Sequence, residues 1–326
     1  MAHALINHPQ EGWASHFVCQ GYTIYLTDQA QRGRSPWLPG SGDQTAASVE
    51  TIEKQFTAPE KFPSYPQAKQ HTQWPGSGLA GDPVFDALYA SQVGAQNNAT
   101  LQAVSRVRSP ALGYESRSLR STDDIFVQRY NNVSYTALLD KIGPSIVITH
   151  SQAGPFGVKL ADVRPKLVKG LIAIEPEGPP FESYAGPPFD PIYIKPAANR
   201  NRPFGLTLLP LEYDPPIDEN AGLLVRQNVS APNIKLSPCI LQASPARRLV
   251  NLSQVPVLLV TSEASYHAVY DHCTVAYLEQ AGVKVDWLDL PRAGIKGNGH
   301  FLFMEKNNLK IAGRVESWIR RLARAE

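Results

Sequence analysis

The stretch Ser145-Ile146-Val147-Ile148-Thr149-His150-Ser151-Gln152-Ala153-Gly154 decides how the rest of the chain is read. A run of strand-forming residues over 145–149 leads into a serine, and small residues then open an amphipathic stretch over 154–163. A strand that turns sharply into a helix at a serine strains that residue's backbone. It also brings strand and helix so close that bulky flanking side chains clash. The usual pattern for such a nucleophile elbow is G-x-S-x-G. Here Thr149 stands at the first glycine position and Ala153 at the second. The plainer alternative is an ordinary strand–turn–helix with an incidental serine.

Around this segment, strand-sized apolar runs alternate with amphipathic stretches. Helices are predicted over 11–20, 134–141, 154–163, 267–280 and 308–324, and strands over 22–27, 145–149, 167–174, 255–261 and 283–288. This rhythm predicts an α/β fold, a mainly parallel sheet with helices on both faces. Two stretches, 38–120 and 176–250, break it, being rich in Pro, Gly, Ser and Asn. Both follow a strand's C-terminal end, where open α/β sheets place their ligands, so they are read as one composite cap within a single domain, 1–326.

Composition narrows the function classes. In 326 residues, 31 Lys+Arg against 29 Asp+Glu leave a net charge of +2, which gives no broad electrostatic case for nucleic acid or an anionic membrane. No apolar run reaches the roughly 18–20 residues a membrane span needs. Cys19, Cys239 and Cys273 are too few and too scattered for a disulfide scaffold or zinc cluster, and lean towards a reducing compartment. The first ten residues lack a signal peptide's basic start and apolar centre. A cytoplasmic location is therefore expected, with secretion if the N-terminus is incomplete; sequons at Asn98, Asn132, Asn228 and Asn251 hint only faintly at secretory ancestry. No dinucleotide fingerprint, P-loop or metal-ligand spacing is present, so no cofactor is expected.

A serine hydroxyl becomes a nucleophile only beside a base that a carboxylate orients. On this kind of fold the chain order is Ser, acid, His. Gly297-Asn298-Gly299-His300 supplies the base, since the glycines let the loop bend its imidazole over the sheet edge. His150 is too close in sequence to serve Ser151, and His267 and His272 fall on a predicted helix, where structural roles are expected. Two carboxylates compete: Glu175, 175 − 151 = 24 residues after the serine at the end of the next strand, and Glu263, at the end of the strand after that. Either strand end can reach the histidine, and Asp271 is a weaker third candidate.

Several unusual strings occur in fixed order from residue 12 to residue 308. They are Gly12-Trp13-Ala14-Ser15, Arg32-Gly33-Arg34-Ser35-Pro36-Trp37, Thr149-His150-Ser151-Gln152, Ile174-Glu175-Pro176 with Gly178-Pro179-Pro180-Phe181, and Gly297-Asn298-Gly299-His300 with Glu305-Lys306-Asn307-Asn308. In these the chain resembles the bacterial esterase 713 family and its fungal relatives, which are α/β-hydrolases. The resemblance implies Ser151 as nucleophile, His300 as base and Glu175, not Glu263, as the orienting acid. It also implies further strands and an oxyanion loop, often His-Gly-Gly, ahead of Glu11. The ten residues preceding Glu11 contain no glycine pair, and Ala4-Leu5-Ile6 is too short for the strand expected between 22–27 and 145–149. One oxyanion donor is identified, the backbone N–H of Gln152; loss of a second typically costs roughly 100–1,000-fold in rate.

The expected activity is hydrolysis of a small to medium apolar carboxylic ester or lactone through an acyl-enzyme on Ser151. An acyltransferase would use the same residues. The rival from another class is a weak or inert hydrolase-like binding protein or truncated isoform. The expected partner is a small-molecule ester, without nucleic acid or membrane; a homodimer stays open.

Overall fold

The computed structural model describes residues 11–37, 43–97, 122–182, 202–217, 224 and 226–325. At its centre lies a four-stranded sheet built from β1 (Ser145–Ser151), β2 (Val168–Pro176), β5 (Val257–Thr261) and β6 (Val285–Asp289). Its order is β6-β5-β2-β1, and every pairing is parallel. Parallel neighbours need crossover connections, and β1 reaches β2 through α4 (Gly154–Val163), one of six principal helices. The others are α1 (Trp13–Cys19), α2 (Pro83–Ala90), α3 (Thr122–Ile142), α5 (Asp271–Gln280) and α6 (Asn308–Ala325). A hairpin of β3 (Arg226–Val229) and β4 (Cys239–Gln242) stands apart from the sheet.

Side chains alternate across the strands, and this sorts the core into two layers. Leu171 and Val257 point to one face with Leu160 of α4 and Tyr277 of α5. Ile172, Ile174, Leu258 and Val260 point to the other, against Phe17 of α1 and Ile311, Val315 and Trp318 of α6. Trp13 fixes α1 to the start of α6 by donating its indole N–H to the Asn308 carbonyl at 3.1 Å. No helix among the described residues is long and apolar enough to cross a membrane.

Three expectations need correction. Residues 22–27 form no strand and join no ladder; Tyr22 and Ile24 pack, as Ile146 does, against the core layer on the α6 face, without a hydrogen-bonded strand neighbour among the described residues. The apolar alternation was real, but a strand also needs a partner, and β1 is the outermost strand of the sheet, with Ile148 42% exposed. The helix expected over 134–141 is the end of the longer α3. The one expected over 267–280 is interrupted: a 3-10 turn, Tyr266–Val269, precedes α5.

The expected cap stretches, 38–120 and 176–250, fall partly outside the described residues. Within the first, Ile52, Trp74, Phe85 and Leu88 form a satellite core that closes on Phe301 and Met304. Phe181, from the second, is buried in the main core. Of the aromatic residues that could line an apolar pocket or pack the cap's own core, Trp37 is exposed, and Tyr184, Phe189 and Tyr193 lie outside the described residues.

Candidate active site

Ser151 ends β1 with φ at 53°, in the left-handed region that a serine rarely adopts. The sharp reversal lifts it off the sheet before α4 begins. Close approach of strand and helix is possible because α4 carries Gly157: a Cβ there would come within 2.7 Å of Thr149 Cγ2 and Leu171 Cδ1. The space that a glycine at 149 would have left is thus supplied from the helix side.

Glu175, at the end of β2, is also in the left-handed region (φ 42°), and its carboxylate is buried. One oxygen accepts from the Ser262 backbone N–H at 2.7 Å. The other accepts from the Ser265 hydroxyl at 2.7 Å and lies 2.6 Å from His300 Nδ1. This last contact fixes the imidazole's tautomer, leaving Nε2 as the basic nitrogen. Burial, and then the neighbouring His267 ring, hold His300 well below the ordinary histidine pKa, so the ring is neutral near pH 7.

Two further imidazoles flank His300. His267 stacks on it at 4.9 Å and 5° between planes, while His150 tilts over it at 4.4 Å and donates from Nε2 to the His300 carbonyl at 3.0 Å. Burial lowers both, His267 to about 4. Neither reaches the serine side of the site by hydrogen bond: His267 is engaged with Asp271 at 3.0 Å and with the Tyr270 hydroxyl at 3.1 Å.

No hydrogen bond joins the Ser151 hydroxyl directly to His300. The Tyr266 hydroxyl instead lies 3.4 Å from His300 Nε2 and interacts with the Ser151 side chain as well. Burial, then the Glu175 charge, push the Tyr266 phenol well above its ordinary pKa, so it is a neutral donor. Catalytic contacts often tighten only once a substrate is bound.

Glu263 lies elsewhere: its carboxylate accepts from the Gly297 backbone N–H at 2.7 Å and braces the histidine loop. Asp271 sits in the His267 network and accepts from Thr261 at 2.9 Å. Gln152 is exposed, its backbone N–H has no partner among the described residues, and its side-chain oxygen accepts from Arg32 at 3.3 Å.

The loop bearing His300 is pinned from outside. Gly297 turns at φ 79° against Thr72, and its carbonyl accepts from the Thr72 and Gln73 backbone N–H groups. Glu305 accepts from the Gly299 N–H at 2.8 Å and from Asn298 Nδ2 at 2.7 Å, and contacts His71 at 2.7 Å. No local sequence pattern signals the roles of His71, Tyr266, Ser262 or Ser265.

Two clusters bring potential metal-binding atoms together among the described residues, Glu175/His267/His300 and Cys239/His272/Cys273. In the first, the carboxylate and both rings are committed to the partners already given. In the second, Cys239 and Cys273 form a disulfide, so no thiolate is available. This pairing corrects the expectation drawn from three scattered thiols: residues 34 apart in sequence meet where β4 packs on α5. Cys19 remains free and exposed.

A parallel sheet between helical layers, with a strained strand–serine–helix turn and an acid–histidine pair at the same edge, defines an α/β-hydrolase. A fungal protein (Fungal sp., strain ATCC 74256) named "Probable secreted lipase phiG" is 46% identical over 310 residues, covering 95% of this chain and 75% of its own length. The chain belongs to the family of that lipase. No family model matches the chain. Among solved structures, a novel bacterial esterase is 18% identical with a TM-score of 0.49, covering 96% of this chain and 74% of its own. The pyrethroid hydrolase PytH is 16% identical with a TM-score of 0.32, covering 60% of this chain and 79% of its own. The expected cytoplasmic location is overturned by the fungal relative, which is named as secreted. The disulfide agrees, because such bonds persist in oxidising compartments.

Proposed function

We propose that the chain is a secreted serine hydrolase of carboxylic esters. Ser151 attacks the ester carbonyl as His300 Nε2 takes its proton. The same nitrogen then protonates the leaving alcohol, and a water activated by His300 releases the acid from the acyl-enzyme. Glu175 holds the ring and stabilises its charged form, and the Gln152 backbone N–H faces the carbonyl oxygen. The observation that carries this reading is the 2.6 Å contact between His300 Nδ1 and a Glu175 carboxylate already oriented by Ser262 and Ser265, at the edge where Ser151 turns off β1. The relative's name supports ester hydrolysis as the reaction class and secretion as the location.

We read the described parts of 38–120 and 176–250 as walls of the opening within one domain. Phe56 stacks on His300 at 5.3 Å, and Tyr65 packs edge-on against Tyr266, which suits an apolar acyl or alkyl group in a small-molecule substrate. One observation favours a second reading, a weakly active or inert scaffold: Ser151 and His300 share no direct hydrogen bond. A fluorophosphonate probe separates the two. Folded wild-type protein labelled at Ser151, with labelling abolished in Ser151→Ala, supports the hydrolase; no labelling leaves the scaffold.

A further inference from the structure

The position of Tyr266 has a consequence for how the leaving group departs. For acylation to finish, the proton taken from Ser151 must reach the departing oxygen. That oxygen must therefore lie close to Oγ and to Nε2 at once. In this structure the Tyr266 hydroxyl stands 3.4 Å from Nε2 and interacts with the Ser151 side chain.

The phenol is held firmly there. It belongs to the 3-10 turn Tyr266–Val269, whose N-cap Ser265 accepts from the His267 backbone N–H and donates to Glu175. Its ring packs against Tyr65 and Phe56 at 6.4 Å each and against His300 at 5.0 Å. Tyr65 in turn donates to the Ala264 carbonyl at 2.9 Å, tying the turn down from the other side. The group that orients Glu175 thus also sets the next residue's hydroxyl over the reaction path.

We propose that Tyr266 is a further catalytic residue, whose hydroxyl donates a hydrogen bond to the leaving-group oxygen during acylation and to the attacking water during deacylation. The inference rests on the serine-hydrolase reading above. In acylation the Oγ–carbonyl carbon bond forms, the bond from that carbon to the leaving oxygen breaks, and the Ser151 proton passes through Nε2 to the leaving oxygen. In deacylation a water proton goes to Nε2, the bond from water oxygen to the carbonyl carbon forms, the acyl–Oγ bond breaks, and the proton returns to Oγ. Tyr266 keeps its own proton in both halves. It stabilises charge on oxygen as that charge appears, which a bound ground-state ester does not require.

The dependence on leaving group tests this. A nitrophenolate departs readily without a donor, whereas an alkoxide needs one. For paired p-nitrophenyl and ethyl esters of the same acid, Tyr266→Phe should lower kcat/KM on the ethyl ester roughly 10–100-fold, the size of one lost hydrogen bond to a charged group. The p-nitrophenyl ester should lose less than about threefold, and fluorophosphonate labelling of Ser151 should be similarly preserved, because neither leaving group needs the donor. Equal losses on both esters would make Tyr266 a structural support only. No loss, or a gain, would make it an obstacle between Ser151 and His300; each of these overturns the proposal. Wild-type labelling separates its failure from that of the underlying reading: labelled protein with equal losses sinks Tyr266 alone, and unlabelled wild-type protein sinks both.

Discussion

His71 has no local sequence signature, yet it holds the His300 loop from behind. Its two ring nitrogens lie 2.9 Å from Glu60 and 2.7 Å from Glu305, partners 11 residues behind and 234 ahead. Burial alone would lower its pKa, but the hydrogen bonds to Glu305 and Glu60 outweigh that and push it up to about 9. The ring is therefore a cation at neutral pH, clamped between two carboxylates. A histidine whose folded pKa lies above its unfolded value of about 6.5 contributes its full stabilisation below pH 6.5. That contribution is lost as pH rises through 9, and its upper bound is about 3 kcal/mol, set by the size of the shift. Melting temperatures from pH 6 to pH 10 should fall more for wild type than for His71→Gln, the two curves converging at the alkaline end. A wild-type-minus-variant difference that stays flat across this range would refute the charged clamp. The same titration should loosen the Gly297–Gly299 loop, so the alkaline decline in activity should also be steeper in wild type.

The elbow's deviation from the glycine pattern is resolved between two elements, β1 and α4. Thr149 is stiff at χ1, and its methyl faces Gly157 across a gap that admits no Cβ without movement. Gly157→Ala would gain up to about 1 kcal/mol in helix propensity but introduce contacts at 2.7 Å, and overpacking of this kind costs about 1–3 kcal/mol. The variant should be less stable in urea. Combined with Thr149→Ser, which removes the opposing methyl, it should lose at least about 0.5 kcal/mol less than the sum of the singles, since residues in contact couple. Additive effects would show that Leu171 alone absorbs the intrusion. Elements with a buried partner were largely legible from sequence: 154–163 coincides with α4, and the β5 and β6 stretches are displaced by two residues at their starts. Residues 22–27 were misread because alternation reports a face to bury, whereas a ladder needs a neighbour that no local pattern reveals. Chain order on a parallel sheet brings strand ends and the His300 loop to one edge but leaves Glu175 and Glu263 level; the family resemblance singled out Glu175, the carboxylate that lies 2.6 Å from His300 Nδ1. Tyr266 was illegible because its importance lies in proximity to groups 115 and 34 residues away (266 − 151 and 300 − 266).

At the scale of the whole molecule, the Cys239–Cys273 bridge joins the β3–β4 hairpin to α5, the helix that follows the Tyr266 turn. Composition could not reveal it, because two thiols 34 residues apart pair only when the fold brings their backbones together, here to a Cα–Cα distance of 5.2 Å. Closing a loop of this length in the unfolded chain typically stabilises a protein by about 2–4 kcal/mol. Reduction, or the pair Cys239→Ser and Cys273→Ser, should lower the melting temperature by roughly 3–6 °C. Reductant should then have no further effect on the double variant. Thiol titration provides the independent count: native protein recovered from an oxidising medium should expose one reactive group, Cys19, and reduced, denatured protein should expose three. Three reactive thiols before reduction would remove the bridge and, with it, the structural support for an extracellular life. A bridge present but thermally silent would instead mean that the hairpin is already docked through the Gln242–Gln280 hydrogen bonds, at 2.8 and 3.0 Å, which tie the same two elements together.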